Sequence, residues 1–208
     1  MTGKRDEKRR KLKDDVLAAA TARIHSGGLA QLRARDVAAD VGCALGAIYN
    51  VFTDLDDLVL TVNSATLRSL GADLAAAAAR HAGDTPERQM IAFAHAYLDF
   101  AMRHPHAWAA LFDHRLPEGK TVPDWHYREQ ALLFATVIVP LRTAMPGVSE
   151  ARISSIARGL FSAVHGIVSL GLQHRFAAVD EADLGDMLAL LVGSFVKANS
   201  PREGADPP

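Results

Sequence analysis

The residues best placed for chemistry stand at the start of the chain. The opening TGKRDEKRRKLK is dense in cations, and residues 1–35 carry ten Lys and Arg against four Asp and Glu. Residues 36–208 carry thirteen against twenty, so a net charge of −1 conceals a basic front on an acidic body. Such asymmetry suits a chain whose front meets a polyanion. A solvated, disordered tail would show the same charge run, so charge alone does not decide between the two.

Other chemistries find little footing. No nucleophile stands beside a partner base, and there is no phosphate-cradling glycine loop, so the chain is not expected to be an enzyme, and no catalytic residue or cofactor is assigned. Nine histidines raise the question of a metal. His104 and His106 flank Pro105, and His95 with Asp99 has the i, i+4 spacing of one helix face, but HExxH does not occur. One cysteine, Cys43, cannot build a thiolate site or an internal disulfide framework. No metal is expected; the histidines read as surface or helix-terminal groups, and Cys43 as a small buried hydrophobe. A lone cysteine fits a reducing cytosol. No run of about 20 apolar residues is free of charge, and no apolar segment comes directly after the basic start, so neither a membrane span nor a signal peptide is expected.

The elements that must carry these groups are helical. Hydrophobic residues make up 49% of the chain and aromatic ones only 6%; apolar positions recur at three- and four-residue spacing and nowhere alternate as in a strand. Leu12, Val16, Leu17, Ala20 and Ile24 form one stripe, closed by Gly27-Gly28. Short helices are expected over Ala34–Val41 and Ala44–Val51, separated by Gly42. Thr53-Asp54 caps a fourth helix continuing to about Arg80. Pro86 opens a helix over Glu87–Arg103, and a short one spans His106–Asp113. After a loop over Arg115–Val122, long helices cover Asp124–Ala144, Glu150–His174 and Glu181–Ala198. Pro140 should kink or break the first of these. The expectation is an all-α chain of about nine helices with a polar, proline-rich, disordered tail.

The two short helices have a specific steric signature. Counting from Ala34, position five is Ala38, nine is Gly42 and fifteen is Ile48. Helices crossing at close range need a small residue at five, the turn needs a residue tolerant of positive φ at nine, and fifteen must face back into a small core with Val37, Val41 and Leu58. The three together describe a helix-turn-helix behind a basic helix.

The segment RARDVAADVGCALGAIYNVFTDLDDLV resembles the signature of the TetR family of one-component regulators, through Arg35-Asp36-Val37-Ala38, Gly42, Gly46, Ile48-Tyr49, Phe52 and Leu58. The resemblance implies that the helix from Ala44 enters the major groove, presenting Ala44, Leu45, Gly46, Ala47, Tyr49 and Asn50. It implies a phosphate contact by the Tyr49 hydroxyl and a phosphate or base-edge contact by Asn50. Arg33 and Arg35 would meet phosphates at the start of the second helix, and Lys8, Arg9, Arg10, Lys11 and Lys13 would supply the salt-dependent, sequence-blind affinity. The chain departs from the family where small hydroxyl residues are usual (Ala44, Ala47) and where a lysine usually opens the fourth helix (Leu55); Asp54, Asp56 and Asp57 add negative charge nearby.

RHPHAWAALFDHRLP and GLFSAVHGIVSLGLQHRF resemble a C-terminal variety of the same family. This implies a homodimer whose last two long helices pair across a two-fold axis through Leu160, Val164, Ile167, Leu188, Leu191 and Phe195, with Gly159, Ser162, Gly166, Ser169 and Gly193 allowing close approach. It also implies a sensing pocket drawn from Tyr97, Phe100, Trp108, Phe112, Trp125, Phe134 and His165, and an apolar effector. The chain then divides into a basic arm (1–10), a helix-turn-helix DNA-binding domain (11–62), an effector-binding and dimerisation domain (63–199) and a disordered tail (200–208). The expected function is a cytoplasmic regulator of bacterial transcription, a repressor released from a palindromic double-stranded operator by a small hydrophobic molecule. The alternative is the same fold without operator binding, acting as a ligand-binding or protein-interaction module.

Overall fold

A computed structural model of the chain describes residues 2–173 and 178–199. The tail over 200–208 and His174 lie outside the described residues. Among those described, nine α-helices and two short 3-10 turns occur, and no strand. The helices are α1 (Thr2–Gly27), α2 (Ala34–Val41), α3 (Leu45–Ile48), α4 (Leu55–Arg80), α5 (Pro86–Arg103), α6 (Pro105–Asp113), α7 (Asp124–Ala144), α8 (Glu150–Leu172) and α9 (Leu184–Asn199).

The helix starts and stops obey local chemistry. Asp54 Oδ1 accepts from the Asp57 N–H and Asp57 Oδ2 from the Thr53 N–H, both at 2.9 Å, a reciprocal cap at the start of α4. Ser149 Oγ accepts from the Arg152 N–H and caps α8. Gly42 ends α2 in the left-handed region at φ 71°, ψ 34°, its N–H bonded to Ala38 and Ala39 carbonyls. The basic stretch read as an arm is helical from Thr2 and continuous with α1. The third helix is shorter than the expected Ala44–Val51: Asn50 and Val51 N–H groups return to the carbonyls three residues back, tightening the last turn. Helix α7 runs unbroken through Pro140, which is buried. The ring removes one N–H from the helical ladder without ending it.

The described residues form two compact units: residues 2–69 with 104–129, and 70–103 with 130–173 and 178–199. In the first, Val16, Ala20 and Ile24 of α1 meet Val37 and Ala38 of α2, Ile48 and Phe52 at and after α3, and Leu58 and Val62 of α4; Phe52 and Ile48 are almost fully buried. Arg23 clamps α1 to α2, its guanidinium reaching Asp40 at 2.5 and 2.9 Å. Residues 104–129, which lie beyond the expected boundary at 62/63, pack into this same unit. Ala110 of α6 joins the core, its carbonyl accepting from Asn63 Nδ2 at 3.0 Å, and His126 Nδ1 lies 3.1 Å from Ser64 Oγ.

In the second unit α5 packs along α9 and touches α8. Gly193 faces α5: a Cβ there would stand 3.1 Å from Glu87 Oε1 and 3.4 Å from Ile91 Cδ1, so the Glu87 side chain would have to give slightly. Gly193 thus serves packing inside the subunit.

The backbone at Gly42 supplies a stability test. Nothing lies within 4 Å of a Cβ there, so the cost of Gly42→Ala is purely that of φ +71°, about 1–2 kcal/mol. Gly46 also faces open space but has no positive φ. In thermal denaturation monitored by circular dichroism, Gly42→Ala is expected to lower the midpoint and Gly46→Ala to leave it unchanged or raise it.

Candidate nucleic-acid interface and ligand cavity

Helix α3 divides its side chains between core and solvent. Ile48 and Phe52 point inward at 1% and 2% exposure, whereas Tyr49 and Leu45 are 46% and 43% exposed. Ala44, Gly46 and Asn50 are also exposed, and Ala47 is half-buried. Tyr49 and Asn50 are therefore both exposed on the outer surface of one tight turn. The start of α1 lies beside them. Arg9 Nε donates to the Asn50 carbonyl at 3.3 Å, and Lys13 Nζ sits 5.4 Å from the Phe52 ring centroid. Lys8 and Arg10 are exposed, and Lys11 pairs with Asp15 at 2.8 Å. Arg33, the N-cap of α2, and Arg35 are exposed, with no hydrogen-bond or ion-pair partner among the described residues. They are guanidinium groups available to an anion.

The acidic residues after α3 are engaged elsewhere. Lys120 Nζ bonds Asp54 Oδ2 at 2.6 Å and Asp56 Oδ2 at 2.8 Å. Those bonds hold the Asp54 carboxyl below its usual range and push the Lys120 ammonium up. Asp57 is occupied by the helix cap. Lys120 lies in the loop before α7, far along the chain, and no local pattern signals its role.

The expected pocket residues separate. In the second unit a cavity of about 550 Å³, its open mouth included, is walled by Leu74 of α4, Met90, Phe93 and Tyr97 of α5, Leu133 and Phe134 of α7, and Leu160, Phe161 and Val164 of α8. Tyr97 and Phe134 come from the sequence-derived set. His165 stands behind Tyr97, its Nδ1 2.8 Å from the phenol oxygen, and stacks on Phe161. Phe100 is buried in the same unit and does not line the cavity. Trp108, Phe112 and Trp125 belong to the other unit; Trp108 is buried, with Phe112 edge-on at 5.6 Å. Phe93 and Phe161 also line it, and the sequence alone does not single them out, because an apolar residue on a helix carries no sign of which gap it borders.

On the last two helices, Leu160, Val164 and Leu188 are buried within the subunit, while Ile167, Leu191 and Phe195 are half-buried. The solvent-facing apolar groups are Leu170 and Leu190, at 50% and 61% exposure, and open space lies over Gly159 and Gly166. Among the described residues α8 is the one helix long and apolar enough to cross a membrane by length and composition.

The histidines are tied to their surroundings. His95 Nε2 lies 3.1 Å from the Gly185 carbonyl and His81 pairs with Asp84. Among the described residues no three ligating side chains gather into a metal site. Burial lowers the pKa of His25, His114, His126 and His165 from the ordinary histidine value of 6.5. The folded state therefore binds fewer protons than the unfolded one once pH drops below that value, and stability present at neutral pH is lost as pH falls through it. Urea unfolding at pH 7.5 and 5.5 is expected to give a lower midpoint at 5.5, and His126→Gln should shrink the difference. Lys120→Met should move the Asp54 carboxyl up towards its usual range, read by carboxyl carbon NMR titration.

The chain shares its fold with known proteins. Residues 90–195 match the family described as Tetracyclin repressor-like, C-terminal domain. A solved protein of unknown function from Rhodococcus sp. RHA1 superposes with a TM-score of 0.72 at 20% identity, covering 91% of this chain and 96% of its own. A TetR transcriptional regulator from the same organism superposes at 0.61 with 15% identity, covering 91% and 98%. A TetR-family regulator from Agrobacterium tumefaciens gives 0.56 and 18% identity, covering 93% and 100%. No curated protein matches the chain in sequence.

Proposed function

Because the chain belongs to the TetR family of transcriptional regulators, we propose that it is a homodimeric repressor that holds a palindromic double-stranded operator and lets go when a small hydrophobic molecule occupies its cavity. The observation that carries this reading is the outward-facing Tyr49-Asn50 pair on a turn fixed by Ile48 and Phe52, flanked by the exposed Arg33 and Arg35. Tyr49 meets a phosphate oxygen, Asn50 a phosphate or base edge, and Leu45, Gly46, Ala44 and Ala47 border the groove. Lys8, Arg9, Arg10 and Lys11 add phosphate charge neutralisation. The acidic residues at the start of α4 weigh less against this than their charge suggests, since Lys120 balances Asp54 and Asp56.

A two-fold operator calls for a two-fold protein, with the reading helices about 34 Å apart to enter successive major grooves. The exposed Leu170 and Leu190, and the open space over Gly159 and Gly166, suit helix pairing across that axis, with Ile167, Leu191 and Phe195 beside it. In this reading the apolar surface of α8 meets a partner subunit rather than lipid, and the protein works in the cytoplasm. Effector binding shifts the equilibrium towards a dimer whose reading helices no longer match the groove spacing, by no more than its differential affinity for the two states. No step in this cycle makes or breaks a covalent bond, so an enzymatic role is not part of the reading. Ala44, Ala47 and Leu55, in place of the family's usual phosphate-contacting residues, favour a second reading: a ligand-binding or protein-interaction module that has lost operator binding.

Fluorescence anisotropy with duplex DNA flanking the protein's own gene separates the two. Binding should weaken steeply with salt. Replacing Arg33 and Arg35 together with Ala should reduce the log–log salt slope by about 2, and Tyr49→Phe should weaken binding with the fold intact. Absence of salt-sensitive binding at low ionic strength would leave only the second reading. Sedimentation should show a dimer, converted to monomer by Leu170→Arg with Leu190→Arg; both side chains are exposed in the subunit, so folding should survive.

A further inference from the structure

The cavity walls have one polar side-chain group among them. Leu74, Met90, Phe93, Phe134 and Phe161 offer apolar or aromatic surface, the remaining lining residues are aliphatic, and only Tyr97 brings an oxygen. Among the described residues no charged side chain lines the space. Tyr97 is 5% exposed, and its hydroxyl is 2.8 Å from His165 Nδ1, so the direction of that hydroxyl is set by a neighbouring helix. His165 is held in turn by stacking on Phe161, with centroids 5.8 Å apart and planes 22° from parallel. A phenol oxygen has one donor and two acceptor positions, and a neutral imidazole either accepts from it or donates to it.

Resting on the reading of this cavity as the effector site, we infer that the effector is an uncharged, largely aromatic or aliphatic molecule bearing one hydrogen-bonding oxygen, such as a phenol, alcohol or ketone, and that Tyr97, oriented by His165, selects it. Three physical points support the inference. A carboxylate or ammonium would lose its water without gaining a counter-charge, since no wall supplies one. A plain hydrocarbon would fill the apolar space without using the one side-chain oxygen among the lining residues, that of Tyr97. An oxygen on the ligand joins the Tyr97–His165 bond in either direction, because the imidazole, kept neutral by burial, exchanges donor and acceptor roles by tautomerisation.

The test uses three compounds of one shape on the full chain: naphthalene, 2-naphthol and 2-naphthoate, with dissociation constants from calorimetry at pH 7.5. The expected order is 2-naphthol tighter than naphthalene by about tenfold, the size of one well-placed hydrogen bond, with 2-naphthoate weakest. Tyr97→Phe should bring 2-naphthol to the level of naphthalene while leaving naphthalene unchanged. His165→Phe, which keeps an aromatic ring against Phe161, should lose part of the preference. If 2-naphthol and naphthalene bind equally to the wild-type chain, if Tyr97→Phe keeps the preference, or if 2-naphthoate binds tightest, the Tyr97 assignment is overturned although the cavity remains a ligand site. If no compound of the three binds, the cavity reading itself fails, and the inference with it. Unchanged naphthalene affinity in Tyr97→Phe also shows that this variant is folded, so a lost preference reports on the hydroxyl.

Discussion

The outward-facing turn at Tyr49 and Asn50 depends on how closely α2 and α3 can approach. Ala38 and Ile48 share a core with Val37, Phe52 and Leu58, and a larger residue at 38 would hold the two helices apart. Gly42 turns the chain between them through a conformation that costs an L side chain energy. Once those two conditions are met, Ile48 and Phe52 must face inward, and the helical turn leaves Tyr49 and Asn50 no direction but outward. A one-residue slip would put Tyr49 and Thr53 in the inward positions and expose Ile48 and Phe52, at the cost of desolvating two hydroxyls. The outward turn is therefore a consequence of core packing rather than a separate feature of the sequence.

Electrostatics refine that surface without creating it. The basic start of α1 is brought beside the turn by Arg9 and Lys13, which hold the Asn50 carbonyl and the Phe52 ring. Lys120 balances two carboxylates at the start of α4 and so reduces the negative charge beside the turn. Exposed ion pairs contribute little to stability, so the value of this one lies in the local field.

The second unit obeys a different rule. Its cavity is apolar because amphipathic helices α5, α7 and α8 turn their hydrophobic faces to a common centre that they do not fill. The single hydroxyl tolerated there is bonded to His165, as a buried polar group requires. Where α5 and α9 do close completely, Gly193 permits it.

Much of this was legible in the residues alone. Three-and-four periodicity marked every long helix, because an apolar stripe at that spacing has only one economical conformation, and α2 falls where its pattern predicts, Ala34–Val41. The Ala38, Gly42 and Ile48 spacing was legible for the same reason: steric demands within twenty residues are local. Other features came only from the tertiary structure. Residues 104–129 join the first unit through Asn63, Ser64 and Lys120 contacts across long stretches of chain. Of seven candidate pocket residues, Tyr97 and Phe134 line the cavity, whereas Trp108, Phe112 and Trp125 lie in the other unit. An aromatic residue on a helix announces that it will be buried, but which neighbours bury it is decided by the packing of helices distant in sequence.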